Sequence, residues 1–300
     1  MHAVDPSSSA TAGPPLELRE RVRARRDELT VLPAIAAEAL QASQQPDCPL
    51  GVFASLIERD AKLAADILAM ANSSVFSPGR PVVSLNQAVL RLGFRNCRNL
   101  ILASSIASLM RRISLDQQWV RDILWRHSLL TAIHCHALNR ELRLGFEGEE
   151  FTAGLIHDIG RTVLAVVIPE EFERFDPVDF VEMGEHLTRE RAALGTDHAE
   201  LGGWFVRESQ LPEALADVVA HHHESRPSSR LVALTAAGDH LSNHLQRYLD
   251  PSAYVPEENT GIAALAELGV PRAEERFREM AASILENAAV DLVELTRRMS

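Results

Sequence analysis

The sequence predicts an all-α fold, and three observations support this expectation. Apolar residues recur at spacings of three and four along most of the chain, which is the period of one helix face; Val52, Leu56, Leu63 and Ile67 are an example. The apolar-polar alternation typical of strands is scarce. Proline and glycine interrupt the helical pattern at short intervals, so many of the predicted helices are short and joined by tight turns.

The first predicted block, residues 16–113, consists of short helices separated by turn signals. Before it, residues 1–15 are rich in Ser, Ala and Pro and are predicted to form a disordered tail, because they hold too little apolar surface to order themselves. The turn signals within the block are Leu32-Pro33, Asp47-Cys48-Pro49, Ser77-Pro78-Gly79 and Gly93.

The second predicted block, residues 114–249, holds longer helices and most of the histidines. Its pattern predicts a long helix that includes His136, then a helix around residues 151–167, then an acidic loop over residues 169–180. The two blocks together form one predicted domain, residues 16–249.

Residues 250–300 form a predicted helical extension. Three prolines, Pro251, Pro256 and Pro271, precede a long predicted helix over residues 273–298 whose apolar residues lie on one stripe. We expect this helix to pack on the second block or on a partner, since an isolated helix is marginal in water.

Composition and charge exclude several classes of protein. With 46% hydrophobic and 24% charged residues, the chain is expected to be globular rather than disordered or collagen-like. Its net charge of −12 disfavours nucleic acid as a partner, because binding to the phosphate backbone depends on clustered Lys and Arg. No membrane partner is expected either, since no signal peptide or run of 18 apolar residues occurs. The three cysteines are widely spaced and form no CxxC pair, which predicts a cytoplasmic protein.

The basic residues are unevenly chosen. Lys62 is the only lysine, against 29 arginines and 12 histidines. Because arginine stays protonated near neutral pH, the histidines hold nearly all the nitrogen that titrates there. Five arginines near the N-terminus alternate with acidic residues and are interpreted as a solvated helix face with weak ion pairs. These are Arg19, Arg21, Arg23, Arg25 and Arg26.

The strongest local feature is the adjacent pair His157-Asp158 inside the apolar run of residues 154–160. A carboxylate buried there needs a cation or a hydrogen-bond donor, and either a divalent metal or a neighbouring arginine would serve. This pair is therefore the first candidate for chemistry.

Helical phase turns further imidazole and carboxylate groups inward. His127 shares one helix face with apolar residues, and Asp239 lies on a small-residue face of a later helix. His222 continues an apolar stripe and His221 flanks it, whereas His223 is expected at the surface or behind the ligands. Taken together, imidazole and carboxylate suit Fe, Mn, Zn or Ni, with Asp158 able to bridge two ions, and the sequence leaves the metal open.

The chain resembles the HDOD family, the HD-related output domains of bacterial signalling, over about residues 32–244. The resemblance rests on an ordered series of motifs rather than on any one of them. They are Leu32-Pro33, Ile57-Glu58-Arg59-Asp60, Ala71-Asn72-Ser73-Ser74-Val75-Phe76, Ser84-Leu85, Leu92-Gly93, Trp125-Arg126-His127-Ser128, Gly154-Leu155-Ile156-His157-Asp158-Ile159-Gly160, Glu190, Gly195, His198, Leu211-Pro212 and His221-His222. The resemblance implies two packed helical bundles, the second of them HD-like, and a regulatory role.

The same resemblance implies a ligand set for one or two divalent ions, as in the related HD-GYP phosphodiesterases. Three departures from that pattern oppose catalysis. Ile123 stands in place of a glutamate, Arg161 in place of the usual lysine, and the Gly-Tyr-Pro element after the paired histidines is missing. The matching ligand positions are His127, His157, Asp158, His198, His221, His222 and Asp239.

These features predict a non-enzymatic regulatory protein that acts in trans. It would bind a signalling protein or a small-molecule ligand through the groove between its two blocks. The alternative is a metal-dependent phosphodiesterase or phosphohydrolase of a nucleotide or cyclic nucleotide, in which Asp158 bridges two metals and Arg161 holds the phosphate. A third hypothesis is metal bound for structure or sensing without turnover. The oligomeric state stays open.

Overall fold

A computed structural model confirms the all-α prediction: helices connected by short turns make up most of the chain, and the part that the structure describes contains no strand. Asp47, the turn Ser77-Pro78-Gly79 and residues 1–12 of the predicted tail lie outside that part. The described residues are 13–43, 45, 48–76, 80–115, 117–180, 185–224, 226–248 and 250–299.

The helices follow one another in the chain as α1 (Leu16–Ala24), α2 (Ala34–Ala42), α3 (Leu50–Glu58), α4 (Ala61–Ala71), α5 (Leu85–Arg112), α6 (Gln118–Leu142), α7 (Glu149–Ile156), α8 (Ile159–Val167), α9 (Pro169–Phe175), α10 (Glu185–Leu194), α11 (His198–Glu208), α12 (Glu213–His221), α13 (Arg230–Tyr248), α14 (Thr260–Glu267) and α15 (Ala273–Met299). Two short 3-10 turns, Pro251–Ala253 and Pro256–Glu258, precede α14.

Helices α1 to α5 lie in the range predicted as the first block, and side-chain caps fix where the longer of these helices begin. The Asp60 carboxylate accepts the first free backbone N–H groups of α4, and the Ser84 hydroxyl does the same for α5. Gly93 interrupts α5 with a φ of +81°, as the sequence predicts. Fully buried side chains such as Phe53 and Met70 fill the space between these helices.

Helix α6 is the axis of the second block and is buried along most of its length between α7, α13 and α15. The single helix predicted around residues 151–167 is wrong: α7 ends at Ile156 and α8 starts at Ile159. Asp158, with φ −101° and ψ 18°, leaves the helical conformation between them. The break turns the His157 and Asp158 side chains toward the same point.

The acidic loop predicted over residues 169–180 is wrong in its first half, which is helix α9. Pro169 suits the first turn of a helix, and Phe172 and Phe175, three residues apart, both point into the core. The remainder, residues 176–180, is a loop that runs over the second block.

The C-terminal extension ends in the predicted long helix, α15, which packs along α6 and also reaches α4 of the first block. Between α13 and α15, the Asn259 side chain donates a hydrogen bond to the Ala237 carbonyl at 3.1 Å. Among the described helices, none combines the length and apolar content that crossing a membrane would require.

Candidate metal centre

Histidine and aspartate side chains from six helices or helix ends converge inside the second block. His127 and Asp239 come from the faces of α6 and α13, and His157-Asp158 from the break between α7 and α8. The remaining groups are His198, the first residue of α11, and His222 and His223, which directly follow α12.

Four of these side chains form what we name cluster A: His127, His157, Asp158 and Asp239. The Nε2 atom of His127 lies 2.9 Å from Asp239 Oδ1 and 3.2 Å from His157 Nε2. The Nε2 atom of His157 lies 3.4 Å from the same Asp239 oxygen, and Asp158 Oδ2 is within 3.7 Å of both rings. All four residues are buried.

Cluster B consists of Asp158, His198, His222 and His223, whose ligand atoms lie within 4.8 Å of one another. Asp158 Oδ1 is 3.4 Å from His198 Nε2 and 3.5 Å from His222 Nε2. The Nε2 atoms of His198 and His223 face each other at 3.0 Å. Asp158 is therefore shared, with Oδ2 toward cluster A and Oδ1 toward cluster B.

Backbone hydrogen bonds fix the orientation of two of the rings. His157 Nδ1 lies 2.8 Å from the Gly154 carbonyl oxygen, and His222 Nδ1 lies 3.0 Å from that of Val219. Because a carbonyl oxygen can only accept, Nδ1 of each ring carries the hydrogen, and in the neutral ring the lone pair is at Nε2. Both Nε2 atoms face the clusters, which is the arrangement of metal-binding histidines.

Side-chain hydrogen bonds at Nδ1 orient two further histidine rings. His198 Nδ1 donates to the Glu190 carboxylate at 2.8 Å, and His127 Nδ1 lies 2.6 Å from Gln246 Oε1. Burial alone would lower the pKa of His198, but the Glu190 carboxylate and Asp158 raise that pKa to about 10. Binding a cation at His198 would therefore release a proton.

The donor set fits one or two divalent ions. Asp158 Oδ1 and His222 Nε2 are buried and have no hydrogen-bond partner among the described residues, although a buried polar atom left unpaired is costly. A cation between these two atoms would satisfy both. Imidazole nitrogens with carboxylate oxygens suit Fe, Mn, Zn or Ni, as the sequence predicts.

Arg161 fixes the position of the Asp158 carboxylate by hydrogen bonding. Its guanidinium donates to both Asp176 oxygens at 2.7 Å and to Asp158 Oδ2 at 3.0 Å. Burial would raise the pKa of Asp158, but His157 and Arg161 hold that pKa well below its ordinary value. Arg161 is itself only 5% exposed, so its charge is committed to these two carboxylates.

A cavity of about 270 Å³ lies over the clusters, and Phe180 covers part of it. The Phe180 ring stacks on the His127 ring, with 4.4 Å between their centroids, and the Arg161 guanidinium lies 4.9 Å from the Phe180 ring. Phe180 and Val178 both adopt positive φ, +52° and +55°, which is uncommon for these residue types. Thr260 from the C-terminal extension also lines this cavity.

Six of the seven predicted residues meet in these clusters, and His221 does not. The His221 side chain is 39% exposed and pairs with Glu224 at 2.7 Å. Helix α12 ends at His221, and the turn that follows brings His223 rather than His221 to His198. His223, expected at the surface or behind the ligands, is exposed as a residue but contributes its Nε2 atom to cluster B. The three adjacent histidines carry no signal that distinguishes the two pairings.

Replacing His223 by alanine is expected to weaken metal binding in cluster B by about 100-fold or more. Loss of a residue that only supports a ligand already costs 10–100-fold in affinity, and His223 offers a ligand atom directly. Competition with a chelator measures the affinity. His221→Ala, two residues away and with a partly exposed side chain, is the matched control and should leave the affinity unchanged. Equal losses in the two variants would contradict this assignment.

Replacing Gly160 by alanine is expected to separate α8 from α11. A Cβ atom there would lie 1.9 Å from the His198 carbonyl oxygen, which is backbone and cannot give way. We expect a loss of about 1–3 kcal/mol in the free energy of unfolding and a weaker cluster B, because His198 moves away from Asp158. Gly51→Ala, at an open position of α3, is the control and should not destabilise. An unchanged unfolding midpoint in Gly160→Ala would be inconsistent with this contact.

Comparison with known proteins places this architecture among bacterial proteins of related fold. A structure from Geobacter sulfurreducens named as an HDOD domain protein of unknown function is 24% identical, with a TM-score of 0.69, covering 91% of this chain and 98% of that one. A protein from Shewanella amazonensis SB2B, provisionally named a phosphohydrolase, is 21% identical, with a TM-score of 0.68, covering 93% and 98%.

A third structure, from Marinobacter aquaeolei VT8 and provisionally named a signal transduction protein, is 21% identical with a TM-score of 0.62; the match covers 92% of this chain and 65% of that one. A Treponema pallidum (strain Nichols) protein described only as uncharacterized is 24% identical over 208 residues, and the match spans 40% of its length. The profile described as the HDOD domain matches residues 29–225, about two thirds of the sequence. The chain belongs to the HDOD family.

Proposed function

We propose that this protein is a non-enzymatic signalling module that holds divalent metal in clusters A and B and acts in trans on a separate signalling protein. The observation that carries the proposal is that Arg161 is buried and paired with two carboxylates. It occupies the position at which the related hydrolases have a lysine, yet it is buried between Asp158 and Asp176. An arginine so placed does not donate a proton to a leaving group.

The size of the cavity over the clusters supports the same proposal. Its volume of about 270 Å³ lies below the range of about 300–1,000 Å³ typical of small-molecule sites. Phe180 stacks on His127 and so covers that side of cluster A. A small anion or no ligand at all suits this cavity better than a cyclic dinucleotide.

We also propose that the protein works in the cytoplasm. The thiols of Cys48, Cys97 and Cys135 are all free, and two of them are buried in the core. Burial raises the pKa of the Cys97 thiol to about 12, which makes it an inert core group rather than a redox centre.

Metal analysis combined with an activity panel tests the regulatory proposal. Protein produced with added Fe, Mn, Zn or Ni is assayed for bound metal and for hydrolysis of cyclic dinucleotides, cyclic mononucleotides, nucleotides and a chromogenic phosphate ester. We expect between one and two ions per chain and no hydrolysis above the buffer blank. Less than about one equivalent of metal contradicts the metal part, and metal-dependent hydrolysis contradicts the non-enzymatic part.

A second candidate, a phosphohydrolase of small phosphate esters, is favoured by the position of Asp158. Its two oxygens face different clusters, as a carboxylate shared by two metal ions does. Two such ions would activate a water molecule and neutralise the charge of the phosphate ester. In that case Arg161 would be a positioning residue for Asp158. The activity panel separates the two candidates.

A further inference from the structure

A second and larger cavity lies between the two helical blocks. It has a volume of about 1180 Å³, more than four times that of the cavity over the clusters, and the two share no residue of the described chain. Its walls come from α1, α2, the turn between them, α5, α11 and α12, with single residues of α7 and α13. We name it the interblock groove and define it by Arg26, Leu32, Leu40, Arg98, Trp204 and Leu211.

The interblock groove contains arginines that have no ion-pair partner in the part of the chain that the structure describes. Four arginines line it, and two are paired: Arg23 with Glu208 at 3.2 Å and Arg95 with Glu149 at 2.8 Å. Arg26 and Arg98, in contrast, form no ion pair with any described residue. Two guanidinium groups in one groove, each without an acidic partner among the described residues, favour a ligand that brings carboxylates.

Apolar side chains form a large part of the remaining lining, beside polar residues such as Gln41 and Asn99. Leu32, Leu40 and Trp204 are half-buried, and Leu211 and Pro212 form the adjoining wall. A volume above the 300–1,000 Å³ range of small-molecule sites favours a segment of polypeptide. The Arg23 guanidinium already lies 5.7 Å from the centroid of the Trp204 ring, so that ring is not free to stack a nucleobase.

We propose that the interblock groove docks an acidic amphipathic helix of a partner protein, with apolar side chains against Leu32 and Leu40 and carboxylates on Arg26 and Arg98. Recognition of a helix by an apolar groove uses anchors at positions i, i+3, i+4 and i+7, and flanking charges select the partner. The inference rests on the proposed regulatory function, since it gives the chemistry of the partner on which that function depends.

Two helices connect this groove to cluster B. Helix α11 begins with His198 and carries Trp204 two turns later, and α12 carries Ala214 in its first turn and ends at His221, next to His222. The groove and the cluster nevertheless have separate linings, so each can be changed without touching the other.

Fluorescence anisotropy with a labelled synthetic peptide tests the proposal on the full chain. The peptide has about 14 residues, with leucine at i, i+3, i+4 and i+7 and glutamate on the remaining faces, and a second peptide has lysine in place of glutamate. We expect saturable binding of the glutamate peptide, with a Kd of about 10 μM, and binding of the lysine peptide at least about 10-fold weaker.

Charge reversal identifies the groove as the binding site. The double variant with Arg26→Glu and Arg98→Glu is expected to bind the glutamate peptide about 10-fold more weakly, or weaker still. Arg80→Glu with Arg297→Glu changes the net charge equally at two exposed positions outside the groove and should have no effect. Ala214→Trp, at an exposed position of the groove wall, places a bulky side chain in the groove without changing charge and should also weaken binding.

Three results would overturn the docking proposal: no saturable binding, equal binding of the two peptides, or equal loss in the control pair. Self-association of the free protein that Ala214→Trp removes would overturn it in favour of a second copy of the chain. Metal content is measured in every variant and should not change. If only the groove proposal is wrong, the peptide does not bind as expected but the metal content is normal. If the metal proposal is wrong, the unmodified protein already lacks bound metal.

Discussion

Replacing Arg161 by alanine is expected to lower the free energy of unfolding by about 3–5 kcal/mol. The substitution leaves the Asp158 and Asp176 carboxylates buried without their cation, and breaking a buried pair by removing one partner costs this much. Denaturant unfolding measures the change. Arg207→Ala is the matched control, because Arg207 also pairs with two carboxylates, Glu213 and Asp217, but is 43% exposed. That variant should lose less than about 1 kcal/mol.

The cost of losing Arg161 should depend on pH in a defined direction. Burial raises the pKa of Asp176, but Arg161 more than offsets this and holds the pKa below its ordinary value of 3.8. The stability from this pair is present above 3.8 and is lost as the pH falls through the lower folded-state pKa. Arg161→Ala removes the largest influence that lowers this pKa and leaves burial opposed only by the Val178 N–H and His198, so Asp176 protonates more readily as the pH falls. The difference between the two proteins should shrink from pH 7 toward about pH 4.5. A loss below about 1 kcal/mol at pH 7 would contradict the buried pairing.

The second large effect is expected from Asp158→Asn, which should remove metal from both clusters. Its two oxygens face cluster A and cluster B separately, and the amide keeps the shape but loses the charge and one ligand atom. Metal content should fall below about one equivalent per chain. His223→Ala, in comparison, should weaken metal binding in cluster B alone and leave cluster A filled.

Asp66→Asn is the control for the loss of a buried carboxylate. Asp66 is also buried and pairs with Lys62 and Arg111, but it lies in the first block. Its substitution should lower stability and leave the bound metal unchanged. If Asp158→Asn keeps two ions while remaining folded, Asp158 is not the shared ligand.

The fold class and the inward positions of His127, His222 and Asp239 could be predicted because helical period determines which side of a helix faces inward, whereas His157-Asp158 is identified from its apolar run and His198 only from the family resemblance. His127 and Asp239 each lie within a helix, α6 and α13, where the phase is constant over many turns. Helical phase no longer predicts side-chain direction beyond the end of a helix. Helix α12 ends at His221, so the sequence could not distinguish His221 from His223.

Two further features depend on contacts that no local pattern encodes. The break at His157-Asp158 sits inside a continuous apolar run, and only the surrounding helices show why the chain turns there. Arg26 belongs to a segment interpreted as a solvated face with weak ion pairs. Arg21 and Arg25 do form such pairs with Glu17 and Glu28, whereas Arg26 faces the interblock groove.

Helices α11 and α12 give the groove and cluster B common structural supports. A displacement of either helix by a docked partner would move His198 or His222 relative to Asp158. Any such coupling is reciprocal: if metal raises the affinity of the groove for its partner by a given factor, the partner raises the affinity for metal by the same factor. The concentration of the ternary complex of protein, metal and partner would then depend jointly on the cellular supply of the transition metal and on the abundance of the partner.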